Sequence, residues 1–472
     1  MISKCAYEFV RDERGGGTIM GLMWFMLLVG ICGLAVDSTD GFRNKTMLQA
    51  TADAAALAGS IDLAGTIDVI KDPGAVASGA TAAVATAVSY SVDNMSVAAY
   101  GDVLQPGDVE VGTFDMASRS FSPGGVLPDS IRVRLYQTKA NSNAVPANLL
   151  RIVGLQAWEV SVEAVAQRFV PECLNDGLIA AGLVDISSGN DFVNRICIHG
   201  QKGVHMSVGN TLEAGVTVSV PDMATQIVVP GDDLSKDPGL REARREQSLY
   251  PRMVKHVDEI MADLLTLEPY ILPEYITISD VVEIESKSKN YDFSDVEPGN
   301  VYHIVCNPSQ NVGIPGGTEL WDVVIVSECN VSVGAGVYLH NVVLASRNGG
   351  NPGQGGDGGG TTSGSGGSGI ENANINMSAN VRLGDDSLPL CAPGGGVMVF
   401  TNASIVTASG TTFNGVQIVA AGDADLTAAT DGISGISVQA GGNITLTSEG
   451  TYGLCAGVEE ALLTVPYFRL VH

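Results

Sequence analysis

The sequence predicts a membrane-anchored multidomain protein. An N-terminal transmembrane helix leads into an α+β stalk domain, and a mostly β distal region follows, with a parallel β-helix favoured and a β-sandwich as the alternative. Three observations carry this. Gly15–Val36, GGGTIMGLMWFMLLVGICGLAV, runs for 22 residues without a charge. Residues 109–170 alternate apolar and polar positions, as half-buried strands do. Beyond Val301, short apolar runs end in Asn, Gly or Ser, in a chain that uses 58 glycines.

At 1.5 Å per residue the uncharged run is ~33 Å long, enough to cross a bilayer. Gly33-Leu34-Ala35 also forms a small-x-small exit, so a cleaved secretory signal is the competing reading. The leader 1–14 balances Lys4, Arg11 and Arg14 against Glu8, Asp12 and Glu13, and the apolar run is long for a signal. An uncleaved signal anchor over 15–36 fits better. Six cysteines follow the span, Cys173, Cys197, Cys306, Cys329, Cys391 and Cys455, and an even set on one side fits an oxidising compartment. Their order suggests neighbour pairing, 173 with 197, 306 with 329 and 391 with 455, one of 15 connectivities that six cysteines allow. The expected placement is a single-pass protein of a bacterial inner membrane, with the leader 1–14 cytoplasmic and the C-terminal bulk in the periplasm or outside.

Beyond Val36 the chain holds 49 acidic and 22 basic side chains, which accounts for the whole net charge of −27. Such a surface repels nucleic acid and anionic lipid, so neither is expected as a partner. Solubility explains the surplus of acids, and multivalent calcium binding is the sharper alternative.

Leu48–Gly65, LQATADAAALAGSIDLAG, follows the span without a proline, and its alanines favour helix. A 3.6-residue period places Leu48, Ala52, Ala55 and Gly59 on one face of small residues suited to close packing. Gln49, Asp53, Ala56 and Ser60 form a more polar stripe. The stem helix and α+β domain are expected over 37–170, with a further helix in ASGATAAVATAVSYSVDNM, strands in DVEVGTFD, SIRVRLYQT and EVSVEAVAQRFV, and a short helix in NLLRIVGL. A mixed domain over 171–300 is expected to carry an amphipathic helix at 239–267, with a break possible at Pro251. The glycine-rich β domain is expected over 301–472, interrupted by a flexible loop at 348–369.

The run RDERGGGTIMGLMWFMLLVGICGLAVDSTDGFRNKTMLQATADAAALAGS resembles the N-terminal domain of TadG-like proteins of the Tad (Flp) pilus-assembly system. The shared elements stand here as Arg11 to Gly15, Ala35-Val36-Asp37, and Leu48-Gln49-Ala50 through Asp53 to Gly59. The likeness is close over about 50 residues and continues more loosely to LQAWEVSVEAVAQ. It implies a pilin-like stem helix on which a small mixed sheet packs, and other Tad pilus or envelope proteins as partners. Processed pilin-like subunits place a glutamate five residues after their cleavage point. Counting from Gly15, Gly16 or Gly17 gives Met20, Gly21 or Leu22, none acidic, which argues against prepilin cleavage and a filament role.

No constellation points to catalysis or to a cofactor. Asp423 and Asp425 stand two apart with Asp431 nearby, a pattern that clustered-carboxylate glycan enzymes and calcium sites use, but the aromatic platforms of a glycan cleft are few there. These three are the calcium candidates. Cys197 and His199 in CIHG, with His205 beyond, lack the second close cysteine of a zinc site. Asp185–Gly189, DISSG, resembles the metal loop of von Willebrand A domains that some TadG-like proteins carry, but its last serine is replaced by Gly189. GGDGGG has no phosphate-loop lysine. The function read from the sequence is a non-enzymatic pilus-assembly component; the alternative is a membrane-tethered adhesin or a β-helix that binds or cleaves cell-wall or surface glycan.

Overall fold

A computed structural model describes residues 16–64, 73–125, 128–169, 177–269, 271–285, 293, 296–305, 311–347, 373–384, 396–447, 449–453, 463 and 465–471. The chain divides into two compact units, Met1–Phe169 with Pro466–His472, and Val170–Val465.

In the first unit one helix runs unbroken over Gly16–Ala64, so the uncharged run and the alanine-rich segment are a single rod. A second helix covers Pro73–Asn94. The antiparallel sheet has the order Ser120–Pro123, Val109–Asp115, Ser130–Gln137, Val160–Phe169, Tyr467–Leu470. Register makes the packing plain: Ile131, Val133 and Leu135 lie opposite Ala166, Ala164 and Val162. All six are buried in one cluster with Leu48, Ala52, Ala55, Ala83 and Ala87. The long helix is thus covered on two sides. Ala56 and Ser60, expected on a polar stripe, are fully buried, because the second helix takes the side that a lone amphipathic helix would leave wet. The short helix expected in NLLRIVGL is a 3-10 turn at Leu150–Val153.

The second unit is built from parallel strands. Strands at Gly177–Ala180, Cys197–Gly200 and Thr217–Val220 stack in register at a 20-residue repeat. Strands at Leu183–Ile186, Gly203–Met206 and Ile227–Val228 form a second parallel face, and Asp191–Val193 pairs with Thr211–Leu212 on a third line. Among the described residues the strand pairings of this unit are parallel, which fits a parallel β-helix better than the antiparallel sheets of a sandwich. The order of the stack is not the order of the chain. It winds outward to Arg244–Glu246 and resumes at the far end with Val282–Glu285. From there it winds back until Ala428–Ala440 pairs with Gly177–Ala180 and Ile444–Leu446 with Leu183–Ile186. The first coil lies against the last, and Phe192 stacks on Tyr452 with ring centroids 5.4 Å apart.

Three expectations are corrected. A boundary near 300 does not separate units: residues 177–285 and 301–453 share one core, from Leu178 and Val184 to Val438 and Ile444. Tyr467–Leu470, expected in the distal domain, is an edge strand of the stem sheet. The helix expected over 239–267 is divided into Leu240–Ala243, a strand at Arg244–Glu246, a 3-10 turn at Arg252–Lys255 and a helix at Val257–Leu265. Arg244–Glu246 is drawn into the sheet by the open edge of Val218–Val220, and Pro251 has no N–H to continue a helix. The surviving helix buries Val257, Ile260, Met261 and Leu264 along the sheet, where Val324, Val343 and Phe400 are buried too. The loop expected at 348–369 lies outside the described residues.

Candidate functional site

The region with a constructed polar centre is the collar where the apolar run becomes the stem. Asp37 ends that run and is 1% exposed. Its carboxylate accepts hydrogen bonds from the backbone N–H groups of Asn148 at 3.0 Å, Leu149 at 2.9 Å and Leu150 at 2.6 Å. The first N–H groups of a helical turn have no partner within it, so one carboxylate closes the start of the turn at Leu150–Val153. Gly33 lets this turn approach: a Cβ there would meet the Leu149 Cβ at 3.0 Å. About two turns further on, a Cβ at Gly41 would stand 3.5 Å from the Trp158 ring. The segment from Asn148 to Trp158 therefore lies along the helix from Gly33 to Gly41.

The stem residues singled out in the sequence come together above this collar. Leu48, Ala52 and Ala55 are fully buried. Gln49 donates through Nε2 to the Asp53 carboxylate at 2.8 Å and to the Glu163 carbonyl at 3.1 Å, tying the helix to the sheet. Gly59 sits at the tightest crossing, where a Cβ would lie 2.7 Å from Ile131 Cδ1 and 2.9 Å from the Ala83 carbonyl oxygen. The collar and stem supply packing and hydrogen bonds, and their chemistry is that of a rigid anchor.

The calcium candidates are not brought together on one strand. Asp423 stands between the bend at Ala421–Gly422 and the strand Ala424–Leu426, and only Asp425 is on the strand. Asp423 is one rung of a turn ladder: Ser404 Oγ accepts its N–H, its own Oδ1 accepts the Asn443 N–H at 2.6 Å, and Asn443 Oδ1 accepts the Leu183 N–H. Asp425 is 7% exposed, between Val406 and Thr445. Asp431 lies in a strand, and its side chain is outside the described residues. Among the described residues, no group of three or more His, Cys, Asp or Glu side chains is arranged to hold a metal ion.

Cys197 and Cys329 each belong to a disulfide whose partner lies outside the described residues, and among the described residues Cys32 is a free thiol. Cys173, Cys306, Cys391 and Cys455 lie outside the described residues. His199 is fully buried: Leu249 N–H donates to its Nε2 at 3.2 Å, which leaves Nδ1–H to donate to Ser219 Oγ at 2.8 Å. Burial holds its pKa below the ordinary histidine value. DISSG is the end of a strand and the turn after it, with Gly189 in the left-handed region at φ +79°.

Sequence reasoning missed two features. Asp37 was visible as an acid ending the apolar run, but its partners are over 100 residues away. The second is an asparagine ladder inside the coiled unit, whose signal is the 20-residue spacing of two Gly-Asn pairs, Gly189-Asn190 and Gly209-Asn210. Asn210 Oδ1 accepts the Asn190 N–H at 2.9 Å, Asn190 Oδ1 accepts the Gly450 N–H at 2.8 Å, and Asp237 Oδ1 accepts the Asn210 N–H at 2.8 Å.

Comparison with known families accounts for nearly the whole described chain. Residues 15–87 match the model described as putative Flp pilus-assembly TadE/G-like, and residues 64–166 match putative Tad-like Flp pilus-assembly. Residues 177–456 match a domain of unknown function, DUF7867. No curated protein and no solved structure matches the chain. With its membrane-length helix, stem and parallel coils each covered by a family model, the chain is a TadG-like protein of the Tad (Flp) pilus-assembly system and belongs, over more than half its length, to the DUF7867 family.

Proposed function

We propose that this protein is a non-enzymatic component of Flp pilus assembly, held in the bacterial inner membrane by residues 15–36, with the stem and the coiled unit outside the cytoplasm. The continuity of Gly16–Ala64 carries the reading, because one unbroken helix joins the apolar run to the buried stem face at Leu48, Ala52 and Ala55. An exposed apolar run such as Ile19–Val36, with side chains mostly half or more uncovered, has no place in water and belongs in lipid. The coiled unit then presents an elongated surface to pilus or envelope partners. Pairing of Cys173 with Cys197, Cys306 with Cys329 and Cys391 with Cys455 would brace it in an oxidising compartment.

A clean deletion strain, with a complemented control, tests this by counting pili in electron micrographs. Loss of filaments, restored by complementation, is the expected result. Normal filament numbers would refute a role in assembly.

A further inference from the structure

We propose that the turn at Leu149–Ile152 is a second membrane contact, inserted beside the transmembrane helix in the outer leaflet. This rests on the reading that residues 15–36 span the bilayer. Within Ile19–Val36 Gly33 is buried, and Val29 and Gly30 before it are half-buried, while Ile31, Leu34 and Val36 remain more than half exposed. Leu149 and Leu150 lie against Gly33, which fixes the height of the turn below the end of the apolar run. The Asp37 carboxylate locks that height through three backbone N–H groups.

The exposed side chains on the turn are apolar. Ile152 is 77% exposed and Leu149 38%, an arrangement that costs free energy in water and gains it in lipid. Sliding the bilayer inward to spare the turn is opposed by the leader. The run between Arg14 and Asp37 has only 22 residues, ~33 Å, against a hydrocarbon core of ~30 Å. A boundary at Gly30 would leave about 16 residues, ~24 Å, and drag Arg11–Arg14 into the core. Arg151, exposed between the two apolar side chains, has a stem long enough to keep its charge at the headgroups. The partner is a lipid surface, and the zwitterionic headgroup region suits an acidic protein.

The test is quenching of tryptophan emission in phosphatidylcholine vesicles brominated on their acyl chains, using the full chain. The three native tryptophans are Trp24, Trp158 and Trp321. A chain carrying Trp158→Phe and Trp321→Phe reports the span through Trp24. Adding Trp24→Phe and then Ile152→Trp, Leu149→Trp or Met116→Trp reports the turn and an exposed sheet loop of the same unit. Trp158→Phe is tolerable because the indole N–H is buried without a partner. The expected result is loss of emission from Trp24 and from Ile152→Trp and Leu149→Trp, with Met116→Trp unaffected. If Trp24 is quenched while both turn positions behave like Met116→Trp, the turn stays in water and the proposal fails. If Trp24 is not quenched, the anchor reading itself fails, and the proposal with it.

Discussion

Replacing Asp37 with alanine removes the acceptor of three backbone N–H groups at once, and those groups differ in what they lose. Leu150 is buried, so its N–H is left without a partner. A buried donor left unmade costs ~1–3 kcal/mol. Asn148 and Leu149 are exposed enough for water or a lipid headgroup oxygen to take over, so each forfeits only the net value of a capping bond, ~0.5–1 kcal/mol. Together the loss is about 2–5 kcal/mol, confined to the turn, because the helix behind Asp37 is held independently by Leu48, Ala52 and Ala55.

Hydrogen exchange on the full chain in vesicles measures this directly. At 1.36 kcal/mol per decade, Asp37→Ala should speed exchange of the Asn148–Leu150 amides by about thirtyfold to several thousandfold, with the Ser130–Gln137 amides unchanged. Asp37→Asn keeps one carbonyl acceptor and gives up the charge, and it should fall between the two. Unchanged exchange at Asn148–Leu150 in the alanine variant would refute the clasp. Loss of protection across the whole sheet would show that Asp37 supports the fold of the unit rather than the seating of one turn.

Gly59→Ala gains ~1 kcal/mol of helix propensity but presses a methyl into Ile131 and the Ala83 carbonyl, an overpacking cost of ~1–3 kcal/mol; calorimetry should show a lowered Tm, and a raised Tm would count against the tight crossing. Asp237→Asn keeps the Oδ1 acceptor of the ladder and removes a charge that burial disfavours, so the urea midpoint should rise by the equivalent of ~1 kcal/mol; a fall would mean that the new amide N–H groups find no acceptor in the turn. His199 is held neutral, below its unfolded value of ~6.5, so the unfolded chain binds the extra proton first. Stability is complete above that value and declines as pH drops beneath it. The difference in urea midpoint between wild type and His199→Gln should shrink on acidification, and a pH-independent difference would sink the assignment.

The parts of the fold legible in the sequence are those whose signal is local. The membrane run needs only its own 22 uncharged residues, and the face of Leu48, Ala52 and Ala55 needs only helical periodicity. The strands at Val109–Asp115, Ser130–Gln137 and Val160–Phe169 alternate because one side meets that helix. What was not legible depends on distant partners. Ala56 and Ser60 look like a solvent stripe until Pro73–Asn94 covers them. Arg244–Glu246 reads as helix until an open strand edge captures it. Asp423 and Asp425 look like a pair on one strand until the bend just before Asp423 turns that side chain to the backbone of the next coil.

The connectivity of the coiled unit explains why composition changes near residue 300 without a boundary between units there. Composition changes near residue 300 because the chain there has finished crossing from one end of the stack to the other. The crossing stretch carries prolines and charges where the coils carry valine and glycine. The folding unit follows pairing instead. Leu178 and Val184 of the first coil lie beside Val438 and Ile444 of the last, and Asn190 Oδ1 accepts the Gly450 N–H across that junction. In the order of the chain the coiled unit is an insertion between Val160–Phe169 and Tyr467–Leu470, two strands that pair with each other, and a unit that starts and ends at adjacent coils suits such an insertion. The pairing of Arg168 with Phe468 joins residues 300 apart, so the stem sheet can be completed only after the entire coiled unit has been made. Long-range closure of this kind is slow, and in the meantime the Val160–Phe169 strand is an open edge. A stem already seated by its helix would hold that edge in place until its last strand arrives.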